Sequence, residues 1–328
     1  MEALLRNLEG PVRDAFITAV LKAKTRAQIN ALVEAIETGD IDRVMLASGL
    51  REGMYSSLTE SIRGGYVQGG IVVLGADIPK RFAMEFDINN PRAESWLRNN
   101  SSQLITGHMM PEQRAAIQVM LQDGMIKGKN PRTVALDIVG RMSQTTGRRS
   151  GGVIGLTGQQ ATYVTNMADD LADLNAERYF RRKLRDRRFD QIVQNSMDSG
   201  QPLSAAKRQQ IVNRYEDRML KHRGDNIART ETLKSLNEAS DEAMRQVVDE
   251  GLAPRNSITK IWRHSYGLNE REGHLMMDGQ PRGMDDYFVN PITGVPLKYP
   301  GDGPASEIIN CRCWVEHKID FVAVELAA

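Results

Sequence analysis

The chain has 328 residues, room for two domains of ordinary size, and its 43 Lys and Arg nearly balance its 42 Asp and Glu. That balance excludes a global field drawing the chain to nucleic acid, so charge-driven binding would have to come from local clusters. Aromatics make up only 5% and both cysteines lie near the C-terminus, which excludes a disulfide framework and points to helices packed through aliphatic side chains and Met.

In chain order, MEALLRNLEG is acidic and short of apolar residues, unlike a signal peptide. The longest apolar run, Ile71–Leu74, is far below the roughly 20 residues that span a bilayer. The expectation is a soluble protein made in a reducing cytoplasm, with no membrane span. Residues 1 to about 60 read as helices, with Pro11 in a first turn and Phe16, Val20 and Leu21 on one face. Thr25 with Gln28 has the spacing of a capping box before a second helix, Gly39 ends that helix, and Asp40 caps the next. The stretch GGYVQGGIVVLGADIP (64–79) breaks the pattern and predicts a short strand or a flexible loop.

Helical signals resume after Pro91. Pro111 opens a helix running to Gly124, and Asn130-Pro131 makes a turn before another helix from Thr133. TTGRRSGGVIGLTGQQ (145–160) reads as a glycine-rich connector that lets the chain bend. A polar helix follows from about Thr162 and becomes strongly basic at RYFRRKLRDRR (178–188). Gly224-Asp225 reads as a break and cap before a long helix, about 226–250, ended by Gly251. Prolines, glycines and short alternating runs then fill residues 254–328. The expected fold is α+β: a mainly helical region, 1–222, followed by a small mixed module, 223–328.

That module reads, in order, IARTET (227–232), Trp262, HLMMDG (274–279), Asp285-Asp286-Tyr287-Phe288, PGDG (300–303) and INCRC (309–313). The order and spacing resemble the head morphogenesis domain of the phage Mu F protein and its relatives in other tailed phages. FDINNPRAESWLRNNSSQLIT (86–106) is similar to the helical N-terminal regions of such proteins. The family's acidic residue and paired arginines before the histidine are only partly present: in Leu268-Asn269-Glu270-Arg271-Glu272-Gly273-His274, Arg271 and His274 match. The resemblance implies a structural protein, present in few copies inside the virion head and in the host cytoplasm during assembly. It implies the portal and inner capsid as partners, and a role in assembly and DNA delivery. The motif residues it singles out are Arg229, Thr230, Glu231, Trp262, Arg271, His274, Asp278, Gly279, Asp286, Asn310, Cys311 and Cys313.

The chemistry of these residues admits bland readings. Arg229 sits on the apolar face of the long helix, and a buried guanidinium needs an acceptor, for which Asp278, Asp285 and Asp286 are candidates. His274 with Asp278 could do acid–base work, but Met-Asp-Gly reads as a turn with Gly279 at positive φ. INCRCWVEHKI alternates as a strand, so Cys311, Cys313, Val315 and His317 share a face. On such a strand Cys311 and Cys313 stand about 7 Å apart, but Cys313 and His317 about 13 Å, too far for one ion. A zinc site would need His274 or His264 from elsewhere; the plainer reading is two buried reduced thiols, with no metal needed for folding and no cofactor. Arg178, Arg181, Arg182, Lys183, Arg185, Arg187 and Arg188 read as a solvated helix face, or as a contact for DNA or an acidic partner. The enzyme alternative is a metal-dependent nuclease or a transferase toxin. His264, His274 and Asp286 have no recognised metal spacing, and no GxxxxGK[ST] loop occurs.

Overall fold

The computed structural model describes residues 2–77, 84–143, 147–265, 270–322 and 324. The first helices are α1 (Glu2–Arg26), α2 (Ile29–Thr38), α3 (Ile41–Ala47), α4 (Ser56–Asp77), α5 (Pro91–Ser102), α6 (Met110–Ile126) and α7 (Pro131–Val139). A short antiparallel pair, β1 (Arg141–Met142) and β2 (Arg149–Ser150), precedes α8 (Gly158–Ala172), α9 (Ala176–Arg181), α10 (Asp190–Asp198) and α11 (Ala205–Asp249). After α11 come β3 (Ile258–Arg263), α12 (Glu272–Met276), β4 (Pro281–Gly283), β5 (Phe288–Val289), β6 (Pro296–Leu297), α13 (Ala305–Ile308) and β7 (Trp314–Ile319). The fold is α+β, a helical N-terminal region followed by a small mixed region. Among the described residues no helix is long and apolar enough to cross a membrane.

Two compact units emerge, and neither is a sequence half. The first comprises Met1–Asp14, Leu58–Ser101 and Asp225–Ala328; the second comprises Ala15–Ser57 and Ser102–Gly224. One cut, at 224/225, lies close to the expected boundary at 222/223, but residues 1–14 and 58–101 belong with the C-terminal module. The expected break at Gly224 is absent: α11 runs through it for 45 residues. One glycine costs a helix only about 1 kcal/mol against alanine, which long flanking helical segments outweigh.

In the first unit, an antiparallel sheet of order β4-β3-β7 pairs Trp262 with Val315 and Lys260 with His317. Its strands alternate, burying Ile258, Lys260 and Trp262 on β3 and Val315 and His317 on β7. Trp262 and Val315 join Leu233 and Leu236 of α11, Leu5 of α1, Phe288, Leu297, Cys311 and Cys313 in one apolar cluster. Each such side chain contributes about 1.5–3 kcal/mol on burial. The glycine-rich stretch 64–77 is neither strand nor loop but the body of α4; Ile78 and Pro79 lie outside the described residues. Gly69 and Gly70 serve close packing. A Cβ on Gly69 would sit 3.0 Å from Leu236 Cδ2 on α11, and one on Gly70 would meet the Phe86 ring at 2.4 Å.

In the second unit the expected connector is a buried, anchored strap. Thr145 and Thr146 lie outside the described residues, whereas Gly151–Leu156 are buried. Lys24 Nζ donates to the Gly151 and Gly152 carbonyls (2.6 and 3.2 Å), and Glu216 Oε2 accepts from Gly152 N–H (2.8 Å). Gln113 accepts from Gly155 N–H and donates to the Leu156 carbonyl (2.7 and 2.8 Å), and Arg223 donates to the Gly155 carbonyl (3.1 Å). Buried backbone groups are thus satisfied by side chains instead of a ladder. Helix signals fared unevenly. Gly39 ends α2 at φ +69°, and Asp40 accepts from the N–H groups of Asp42 and Arg43. Pro11, however, lies inside α1, and Thr25 donates to the Leu21 carbonyl, so no capping box forms there. A capping box does form at Thr157 and Gln160, opening α8.

Candidate functional site

Three segments distant in sequence meet at the start of β7. On α11, Arg229 Nη1 donates to Asn310 Oδ1 (2.8 Å), and Asn310 N–H donates to Thr230 Oγ1 (3.4 Å). Just before α12, Arg271 donates to the carbonyls of Ser306 and Ile309 (2.9 and 2.6 Å). Asn310 itself adopts the left-handed conformation, φ +60°, which asparagine tolerates better than most residues. These ties fix the turn from which Cys311 and Cys313 enter the core. The two cysteines precede β7 rather than lying on it, and both are buried.

His274 of α12 faces them. Its Nδ1 lies 3.4 Å from Cys311 Sγ and 3.7 Å from Cys313 Sγ, and the three donor atoms fall within 4.8 Å of one another. Its Nε2 is 2.8 Å from Glu307 Oε2. Glu307 is held in turn by Asn290 Nδ2 at Oε2 (2.9 Å) and by the Thr293 hydroxyl at Oε1 (2.8 Å). Cys313 N–H donates to Cys311 Sγ (3.4 Å), and the Trp262 ring stands edge-on to His274 at 5.2 Å. His274, Cys311, Cys313 and Glu307 are 2–4% exposed. Gly273 leaves room for Asn290, whose Oδ1 would lie 2.0 Å from an added Cβ.

The electrostatics follow from this packing. Hydrogen bonding from Cys313, and from His274 against the cost of burial, holds the Cys311 thiol well below the usual range. The Cys313 thiol is pushed up, because its proton is held by the Cys311 sulfur and the site is buried. Burial opposes charge on His274, but Cys311 and Glu307 raise its pKa. Glu307 is buried yet held below its ordinary value by hydrogen bonds from His274, Thr293 and Asn290.

The structure gathers Arg229, Thr230, Trp262, Arg271, His274, Asn310, Cys311 and Cys313. Arg229 is bonded to a C-terminal loop as expected, but to an amide oxygen and not to Asp278, Asp285 or Asp286. Asp278 instead accepts from His264 N–H (2.9 Å), Asp285 pairs with Arg255 (2.6 Å), and Asp286 accepts from Gly283 N–H (3.1 Å). Asp278 is thus a turn-forming residue, with Gly279 beside it at φ +76°. Glu231 is buried elsewhere on α11 and accepts from Asn100 Nδ2 (3.1 Å). Leu268 and Asn269 lie outside the described residues. Glu307, Asn290 and Thr293 carried no signal in the sequence, where a glutamate in GPASEI looks like any surface carboxylate.

The basic stretch is not one helix. α9 ends at Arg181, and a turn of 3-10 helix follows at Arg187–Phe189. Arg181 pairs with Glu177 and Arg182 with Asp170. Arg185 grips Asp190 with two bonds of 3.0 Å, and Arg188 bonds Asp186 (3.0 Å), holding that carboxyl down at about 2. Arg178, Lys183 and Arg187 are exposed. Arg187 and Arg188 line an open depression of about 480 Å³ with Arg214, Arg218 and Lys221, against Asp186 and Asp217.

Comparison with known proteins adds one partial likeness. The chain is 32% identical over 97 residues to the uncharacterized protein YqbB of Bacillus subtilis (strain 168). The match covers 28% of this chain and 31% of YqbB, so the chain spans about a third of that relative. No family model matches the chain, and no solved structure matches it.

Proposed function

We propose that this chain is a minor head protein of a tailed bacteriophage, associated with the portal inside the head, where it assists head assembly and DNA packaging or ejection. One observation carries the reading. The two stretches that resemble Mu F-type head proteins lie far apart in sequence, yet residues 86–101 and 227–313 fall in one compact unit. There Arg92 grips Glu242 with two bonds of 2.9 and 3.0 Å, and Gln246 exchanges bonds with the Asp87 backbone (2.9 Å each). Motif residues placed to tie loops together suit an assembly protein, whose work is done by surfaces.

The portal contact belongs to the helical second unit. A groove of about 810 Å³ between α2 and α3 is lined by Ala31, Ala35, Leu46, Ala47 and Met54, with Arg26 and Arg43 among its charges. This mixed lining of small apolar and charged residues suits an amphipathic helix of the partner. The basic depression at Arg187 offers phosphate contacts to packaged DNA without sequence preference. Co-sedimentation of the full-length chain with assembled portal rings tests this. Binding is expected, and Leu46→Asp, at a 56% exposed position, should abolish it while leaving the circular dichroism spectrum intact. A chain that never co-sediments with portal would remove the proposal.

A further inference from the structure

We propose that His274, Cys311 and Cys313 bind one zinc ion, which locks the entry to β7 against α12. The proposal does not rest on the head-protein reading. Zinc bonds of about 2.3 Å to sulfur and 2.0–2.1 Å to nitrogen, opened to a tetrahedral angle, place sulfur and nitrogen about 3.6 Å apart. His274 Nδ1 stands 3.4 and 3.7 Å from the two sulfurs. The tautomer is set for the task. Nε2–H donates to Glu307, leaving the Nδ1 lone pair aimed at both sulfurs, and Glu307 is itself oriented by Asn290 and Thr293. This carboxylate–histidine relay is the outer support that metal-bound imidazoles commonly have. Cys313 N–H, directed at Cys311 Sγ, is a donor suited to a thiolate.

Rival uses of the same atoms fit less well. A cysteine–histidine nucleophile needs an accessible sulfur, and Cys311 is 4% exposed. A disulfide between residues two apart requires strained geometry. On binding, the two thiols release their protons to solvent, the two thiolates cancel the zinc charge, and nothing is oxidised or reduced. The described residues bring three of the four ligands of a tetrahedral zinc.

The test uses the full-length chain, purified without chelator and dialysed against zinc-free buffer. Elemental analysis should find about one zinc per chain. Stripped protein titrated with cobalt(II) should develop the thiolate-to-cobalt charge-transfer band. Both signals should vanish in Cys311→Ser. Glu307→Gln should keep the band but weaken metal affinity roughly 10–100-fold. Should Cys311→Ser fail to fold, the wild-type chain still decides: chelation should expose two thiols to Ellman's reagent that are protected in the zinc-loaded protein. Wild-type protein with reduced thiols that carries no stoichiometric zinc and gives no cobalt band would overturn the proposal.

Discussion

Asn310 concentrates two demands in one side chain. It accepts the Arg229 hydrogen bond and occupies a left-handed backbone position at φ +60°. Alanine would lose the bond and strain the turn, whereas glycine would lose only the bond. Asn310→Ala should therefore cost about 1–3 kcal/mol in urea unfolding, and Asn310→Gly measurably less; the reverse order would contradict the turn's role. Glu238 supplies a pH signature. Burial pushes its carboxyl from 4.5 up to about 7, although the Tyr299 hydroxyl bonded to it pulls the other way. Between those values the folded chain holds a proton that the unfolded chain has released, so stability falls as pH rises through that window. Glu238→Gln should flatten this fall relative to the wild type. Melting curves at pH 5 and pH 7.5 should show the difference, up to about 3 kcal/mol at roughly 1.4 kcal/mol per pKa unit. A variant with an unchanged pH slope would show that Glu238 titrates normally.

Among elements, the glycine-rich segments separate what the sequence made legible from what it hid. Caps and stops such as Gly39, Asp40 and the Asn130 cap of α7 are local, and each was readable from a few neighbours. Gly69 and Gly70 of α4 and the glycines of the 151–156 strap were misread as flexible, because close approach depends on partners far along the chain, such as Lys24, Gln113, Glu216 and Phe86. The two roles predict opposite substitution effects. At Gly152, with φ +81°, a Cβ would lie 2.3 Å from Gly140 N. Gly152→Ala should cost about 4–5 kcal/mol or more, the range of severe backbone and packing faults. At Gly75 on α4 an added Cβ meets nothing within 4 Å, so Gly75→Ala should stabilise by about 0.5–1 kcal/mol. Thermal melts of the two variants moving in the same direction would refute the distinction.

Over the whole molecule, the α+β class and the position of the mixed region were readable from pattern, but the division into units was not. Both α1 and α11 run from one unit into the other, so no composition change marks the cuts at 14/15 and 224/225. The site was half legible: Arg229, His274 and the cysteines stood out as motif residues, while Glu307 and Asn290 became visible only once α13 and the β5–β6 turn were folded beside α12. The basic stretch shows the same limit. Four of its seven cations are tied to carboxylates, leaving Arg178, Lys183 and Arg187 as the exposed remainder. If about three phosphates are neutralised there, log affinity for DNA should fall with log salt at a slope near −3. Arg187→Ser with Arg214→Ser should shallow that slope, and an unchanged slope would place DNA binding elsewhere. The central claim is that the chain resides in the head against the portal. Cross-linking mass spectrometry of gradient-purified heads, assembled by the genome that encodes the chain, tests it most directly. The expected result is a few copies per head, with portal cross-links to lysines of the second unit such as Lys22 and Lys127; absence of the chain from heads at every stage of assembly would contradict it.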